Sequence, residues 1–155
     1  MTDPTIFGTL DAQPASARPD LLAPPVAAAI HLIPDALVAE IDPAYADTEQ
    51  LCAHYGVPMD ASANAVIVRG TRAGVEKHAC CMTLAHRRID VNNVVRRRLD
   101  ARKASFAPMD YAVEATGMEY GGINPVGLPA DWPIWVDGAV AERDWVCIGS
   151  GVRHS

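Results

Sequence analysis

Several signatures that would fix a function at once are missing from this chain of 155 residues. No G-x-G-x-x-G turn follows an apolar run and no G-K-S/T triplet occurs, which removes the dinucleotide and P-loop readings. No stretch of 18 apolar residues is present, and the first thirty residues lack a basic region followed by an apolar one. Neither a membrane span nor a secretory signal is therefore expected, and a soluble cytoplasmic protein is. The four cysteines, Cys52, Cys80, Cys81 and Cys147, form no C-x-x-C pair and read as reduced core residues. His31, His54, His78, His86 and His154 show no ligand spacing, so neither a metal nor another cofactor is expected.

What is present suffices for one domain, since half of the residues are hydrophobic. The net charge of −6 argues against a general nucleic-acid binder, and DNA is not an expected partner, but the average conceals a segregation. Residues 1–60 carry one basic side chain against nine acidic; residues 61–103 carry ten against three; residues 104–155 carry two against seven. Arg87, Arg88, Arg96, Arg97, Arg98, Arg102 and Lys103 thus define either one electropositive face for a phosphate backbone or a solvated helix face.

Along the chain, residues 1–17 read as a loosely ordered arm. A helix is predicted over 19–33 with Pro25 in its first turn, followed by a strand over 36–41 and a short helix from Asp47 to His54 stopped by Gly56. Asn64–Arg69 and His78–Ala85 are strand-length apolar runs forming a hairpin around a Gly70–Gly74 loop. Asp90 begins the strongest helical pattern, with Val91, Val94, Val95 and Leu99 inward. A strand over Lys103–Ala107, a helix over Met109–Thr116 and strands at Ile134–Val136 and Trp145–Ile148 complete an α+β order around a mixed, largely antiparallel sheet.

Between two of these elements lies Thr116-Gly-Met-Glu-Tyr-Gly-Gly-Ile-Asn-Pro-Val-Gly-Leu-Pro129, with four glycines and two prolines. Glycine lets main-chain N–H groups approach a ligand and proline fixes the turns, so this is a shaped loop that can grip a carbonyl or an anion. Its polar side chain, Asn124, either orients a ligand or braces the turn. Thr83 is placed to reach the same region from the hairpin, Asp137 stands at a strand end, and one of Trp132, Trp135 and Trp145 can stack on a base.

The segments Asn64-Ala-Val-Ile-Val-Arg69, Arg88-Ile-Asp-Val91, Thr116 to Gly127, Trp135-Val-Asp137 and Gly149-Ser-Gly151 resemble, in order and spacing, the YbaK/prolyl-tRNA synthetase-associated domain. The resemblance runs over residues 38–151 and implies an arm and helix over 1–37 followed by an editing-like domain over 38–155. It implies metal-independent hydrolysis, in trans, of the ester of a tRNA mischarged with a small amino acid. The partners implied are the acceptor end of aminoacyl-tRNA and an aminoacyl-tRNA synthetase. Asn64, Gly121 and Gly122 are the implied catalytic positions. Ile123, Asn124, Pro125 and Gly127, with Thr83 and Asp137, would contact substrate, and Gly149, Ser150 and Gly151 would form the opposing wall. Arg96, Arg97, Arg98, Arg102 and Lys103 would meet the acceptor stem. Many relatives carry lysine where Asn64 stands, and they continue through another element beyond the position of Ser155. Loss of that lysine leaves a second reading open, a module that binds aminoacyl-tRNA or a small ligand without turnover.

Overall fold

The structure, a computed structural model, describes residues 6–155. Its centre is a hairpin of two ten-residue strands, β3 (Ala63–Arg72) and β4 (Val75–Leu84), paired antiparallel from Ala63↔Leu84 to Arg72↔Val75. The loop between them is only Ala73-Gly74, both at positive φ (52° and 79°), the paired left-handed geometry that matches strand twist in a two-residue turn. Gly70 was expected in that loop and instead lies within β3. A Cβ there would come 2.7 Å from that of Ala101, so this glycine admits a packed neighbour and makes no turn.

Strand β5 (Lys103–Phe106) pairs antiparallel with β3, and β6 (Ile134–Val136) pairs parallel with β4, giving the order β5-β3-β4-β6. Both faces are covered. On one, Ala63, Ile67, Cys80, Met82 and Leu84 pack with Ala112 of α4 (Met109–Thr116), Trp132 and Val140 of α5 (Gly138–Ala141). On the other, Val68, Ala79 and Cys81 meet Val95, Leu99 and Ala101. Gly117, at φ 68°, ends α4 as expected.

The helix expected from Asp90 is not regular. A π-helical turn, Val91–Val95, runs into a single α turn, α3 (Arg96–Arg98), and both Val94 and Val95 donate to the Asp90 carbonyl. The widened turn leaves Val94 52 % exposed while Val95 and Leu99 are buried. Two asparagines and three β-branched valines form a poor α-helical start, which explains why the apolar spacing did not make one. The strand expected at Trp145–Ile148 reduces to one bridge, Ser62↔Cys147.

The N-terminal part differs most from expectation. Residues 1–5 of the expected arm lie outside the described residues, but 6–17 are not loose: Ile6 and Ala15 are buried, and β1 (Gln13–Pro14) pairs with β2 (Leu37–Val38). The single helix expected over 19–33 is broken into two 3-10 turns around α1 (Pro24–Ala29). Prolines at 19, 24 and 25 restart the backbone and restrict the residues before them, so only short pieces form. Ala15, Leu21, Leu22, Val26 and Val38 share a core with Met118, Ile123 and Val152, so no core boundary falls at residue 37. Helix α2 (Thr48–Tyr55) ends at Gly56 with φ 75°.

Candidate functional site

A cleft of about 1340 Å³ opens where the first residues of β3, the start of α2, the glycine loop and the C-terminal segment meet. Asn64 lines it, one residue into β3. Thr48, the first residue of α2, donates its hydroxyl to the Asn64 Oδ1 at 2.9 Å, so the amide is oriented and its Nδ2 is left for a ligand. Nothing in the sequence spacing flags Thr48, because the two meet only when α2 folds against the hairpin.

Gly121, Ile123 and Asn124 of the loop line the same cleft, as do Gly149 and Ser150. The last two do not form an opposing wall. The Gly122 carbonyl accepts from the Gly151 amide at 2.7 Å, and the Glu119 amide donates to the Gly151 carbonyl at 2.8 Å, so the two segments clasp each other on one side. A Cβ on Gly122 would lie 2.9 Å from the Gly151 carbonyl carbon and the Val152 nitrogen, which only glycine permits.

The clasp also assigns the donors. The Gly122 N–H is taken by the Glu119 carbonyl at 2.9 Å, so this residue braces the loop and offers no free donor. Among the described residues, the N–H groups of Gly121 and Gly149 make no hydrogen bond to protein and remain available. Asn124 is fully buried, and its side chain serves the loop. Its Nδ2 donates to the Gly122 carbonyl at 3.2 Å and its Oδ1 accepts from the Val126 amide at 2.8 Å.

Other expected positions lie away from the cleft lining. Thr83 is the cross-strand partner of Asn64 and is buried in the sheet. Gly127, at φ 81°, is seated against the Pro25 carbonyl, so Pro125–Gly127 fixes the loop to α1. Gly151 packs on Ala23, Val26 and Met118. Asp137 precedes α5 and pairs with Arg87 at 3.5 Å.

Arg153 was not singled out in the sequence. Its guanidinium donates to the Tyr120 carbonyl at 3.1 Å and pairs with Asp47 at 3.6 Å, which puts a fixed cation beside Gly121 at the rim. A side chain at Gly121, where φ is 87°, would collide with it. Asp47 therefore spends its carboxylate on Arg153 and makes no side-chain cap to α2. Among the tryptophans, Trp145 lines the cleft, edge-on to Phe7 at 6.2 Å, whereas Trp132 is core and Trp135 lies under Arg98.

Cys147 also lines the cleft, but burial pushes its thiol up to about 11, so it is no nucleophile near neutral pH. Cys80 is pushed up to about 12 and Cys81 to about 11 by the same cause. Among the described residues no three His, Cys, Asp or Glu side chains stand together as metal ligands. The cleft combines oriented neutral donors, a rim cation paired with Asp47, the carboxylates of Asp35 and Asp144 and a largely apolar wall, and its donors suit a carbonyl group and its developing negative charge.

The clasped loop, the mixed sheet and the helices that flank it make this an α+β domain. The chain belongs to the aminoacyl-tRNA editing domain family, whose model matches residues 42–155. Among solved structures it is similar to a candidate trans-editing enzyme for prolyl tRNA synthetase, at 18% identity and TM-score 0.69, covering 85% of this chain and 82% of that one. It is also similar to the hypothetical protein APE2540, at 24% identity and TM-score 0.60 over 70% and 69% of the two chains. A third is a scaffold used for computational epitope grafting, at 17% identity and TM-score 0.70 over 85% and 82%. No curated protein matches the chain. These likenesses establish the fold, the α+β arrangement expected from element order. Among the described residues no helix is long and apolar enough to cross a membrane.

Proposed function

We propose that this protein hydrolyses the ester linking a small amino acid to the terminal ribose of a mischarged tRNA, acting in trans. The observation that supports it most is the meeting, within the editing-domain span, of the Asn64 amide with the clasped 121–124 and 149–150 segments around one cleft. In the reaction water attacks the ester carbonyl carbon and gives up a proton, negative charge grows on the carbonyl oxygen, and the acyl C–O bond then breaks, so that the ribose oxygen leaves with that proton as a free hydroxyl and the amino acid is released as its free acid. The Asn64 Nδ2 and the N–H groups of Gly121 and Gly149 are the donors proposed to hold that oxygen, with Arg153 favouring negative charge at the rim. Among the described residues no side chain is assigned the part of nucleophile, which falls to that water. The small side chain rests on the sequence resemblance. A partner synthetase would deliver the tRNA.

A second reading, binding without turnover, is favoured by one observation: Asn64 brings no charge and Gly122 no free donor to the place where the oxyanion would form. Deacylation of tRNAs charged with alanine, serine, cysteine, threonine and proline separates the two. Selective acceleration of one or two supports hydrolysis. Retention of charged tRNA with no acceleration makes the protein a binder.

A further inference from the structure

A second hollow, of about 560 Å³, lies on the edge of the sheet away from the cleft. Arg69 of β3, Arg96 of α3, Arg102 just before β5 and Lys103 at its start converge on it, with Thr71 and Ser105, and none of its lining residues is acidic. Arg96 is pinned by donating to the carbonyls of Asn92 at 2.7 Å and Ala101 at 3.4 Å. Arg69 pairs with Glu76 at 3.6 Å. Among the described residues the side chains of Arg102 and Lys103 make no ion pair or hydrogen bond, and both are exposed. Four cations gathered from separate elements around hydroxyl donors differ from a solvated helix face. Arg98, their neighbour in sequence, points elsewhere, 6.0 Å over the Trp135 ring, and Arg97 is not part of the lining.

Asn64 and Thr71 sit seven residues apart on one strand, so the cleft and the hollow are separated by about 23 Å along β3. One nucleotide cannot occupy both. We propose that the hollow is an RNA-backbone site that binds stem phosphates of the tRNA whose charged end enters the cleft. The choice of RNA as occupant rests on the editing reading; the charge geometry stands without it. Two hydroxyls and a pinned guanidinium suit phosphate oxygens, and unpaired Arg102 and Lys103 release counterions when they meet them.

The test is salt-dependent binding of uncharged tRNA to the full chain, comparing the native protein with Arg102→Gln/Lys103→Gln and with Arg97→Gln/Arg98→Gln. The first double variant is expected to lower the log–log salt slope by about two and weaken binding at least about tenfold at low salt, the second to leave both nearly unchanged. Hydrolysis of a short aminoacylated oligonucleotide, which has no stem to reach the hollow, reports on the cleft by itself. If that hydrolysis is absent throughout while the slopes shift as stated, the hollow stands and the hydrolytic reading falls. Equal losses in the two variants, an unchanged slope, or tighter binding to anionic vesicles or inorganic phosphate than to tRNA would overturn the proposal.

Discussion

At the scale of single residues, the site turns on an amide where a cation is common in the resembling family. The Thr48 hydroxyl fixes the Asn64 carbonyl, so Asn64→Ala removes a donor that is already oriented. Under the hydrolytic reading this variant is expected to lose about 1–3 kcal/mol of transition-state stabilisation, a fall of roughly five- to 150-fold in kcat/KM. Thr48→Val should lose less, about 1 kcal/mol, because the amide remains but is free to turn. Steady-state deacylation checks both, and a larger loss for Thr48→Val than for Asn64→Ala would refute the orienting role. Cys147→Ser should leave kcat within about twofold, since a thiol held near 11 is protonated at neutral pH. Of these residues Asn64 was legible in the sequence through its motif. Thr48 and Arg153 were not, because their roles arise from contacts across 16 residues to Asn64 and 33 to Tyr120.

At the scale of elements, local chemistry explains which expectations succeeded. The Met109–Thr116 helix with its glycine stop and the Ile134–Val136 strand were readable because propensity, apolar pattern and terminator agreed. Gly70 misled because glycine signals a turn and a close approach equally, and only the facing Ala101 decides between them. The glycine loop was visible as a shaped segment, but not its clasp with Gly149–Gly151, which depends on pairing between distant segments. Gly122→Val should therefore open the clasp and act on fold and site together, lowering the melting temperature as well as turnover; loss of turnover with unchanged melting would show instead that Gly122 touches substrate. His78, on β4, makes an element-scale test of the core. Its ring is buried, stacked on Tyr111 at 4.6 Å and Trp132 at 5.3 Å, and its Nε2 has no partner among the described residues. Burial holds its pKa below the ordinary 6.5. Above that value both folded and unfolded states are neutral. As pH falls below it the unfolded state takes up a proton first, so stability declines until the folded pKa is reached. His78→Phe keeps the stack and removes the proton, so the native protein should lose stability faster than the variant as pH falls below 6.5 in urea titrations. Parallel curves would mean the ring is protonated as easily folded as unfolded.

At the scale of the whole molecule, the cleft is assembled from two sources. Most of its polar groups come from residues 47–64 and 120–155, inside the matched family span, with Asp35 the exception, whereas Ile6, Phe7, Leu10, Val26, Ile30 and Ile33 bring apolar wall from outside it. That segment is held by the β1–β2 pairing, by the Thr9 amide donating to the Tyr55 carbonyl at 2.8 Å, and by the core it shares with Met118. Gly8 is pressed against the same Tyr55 carbonyl, where no side chain fits. The chemistry and the shape of the cleft are thus encoded largely in different parts of the chain, and under the hydrolytic reading a change in the N-terminal wall should alter which substrate is held without altering how its ester is opened. Phe7 is the sharpest probe, because it meets Trp145 edge-on within the lining. Phe7→Ala is expected to cost about 1–2 kcal/mol of stability, less than a fully buried phenylalanine, and to raise KM for the preferred charged tRNA several-fold with kcat within about twofold. Deacylation kinetics across the amino-acid panel would show the split. A fall in kcat with unchanged KM would place Phe7 among the groups that organise the reacting ester, and the division between wall and chemistry would have to be abandoned.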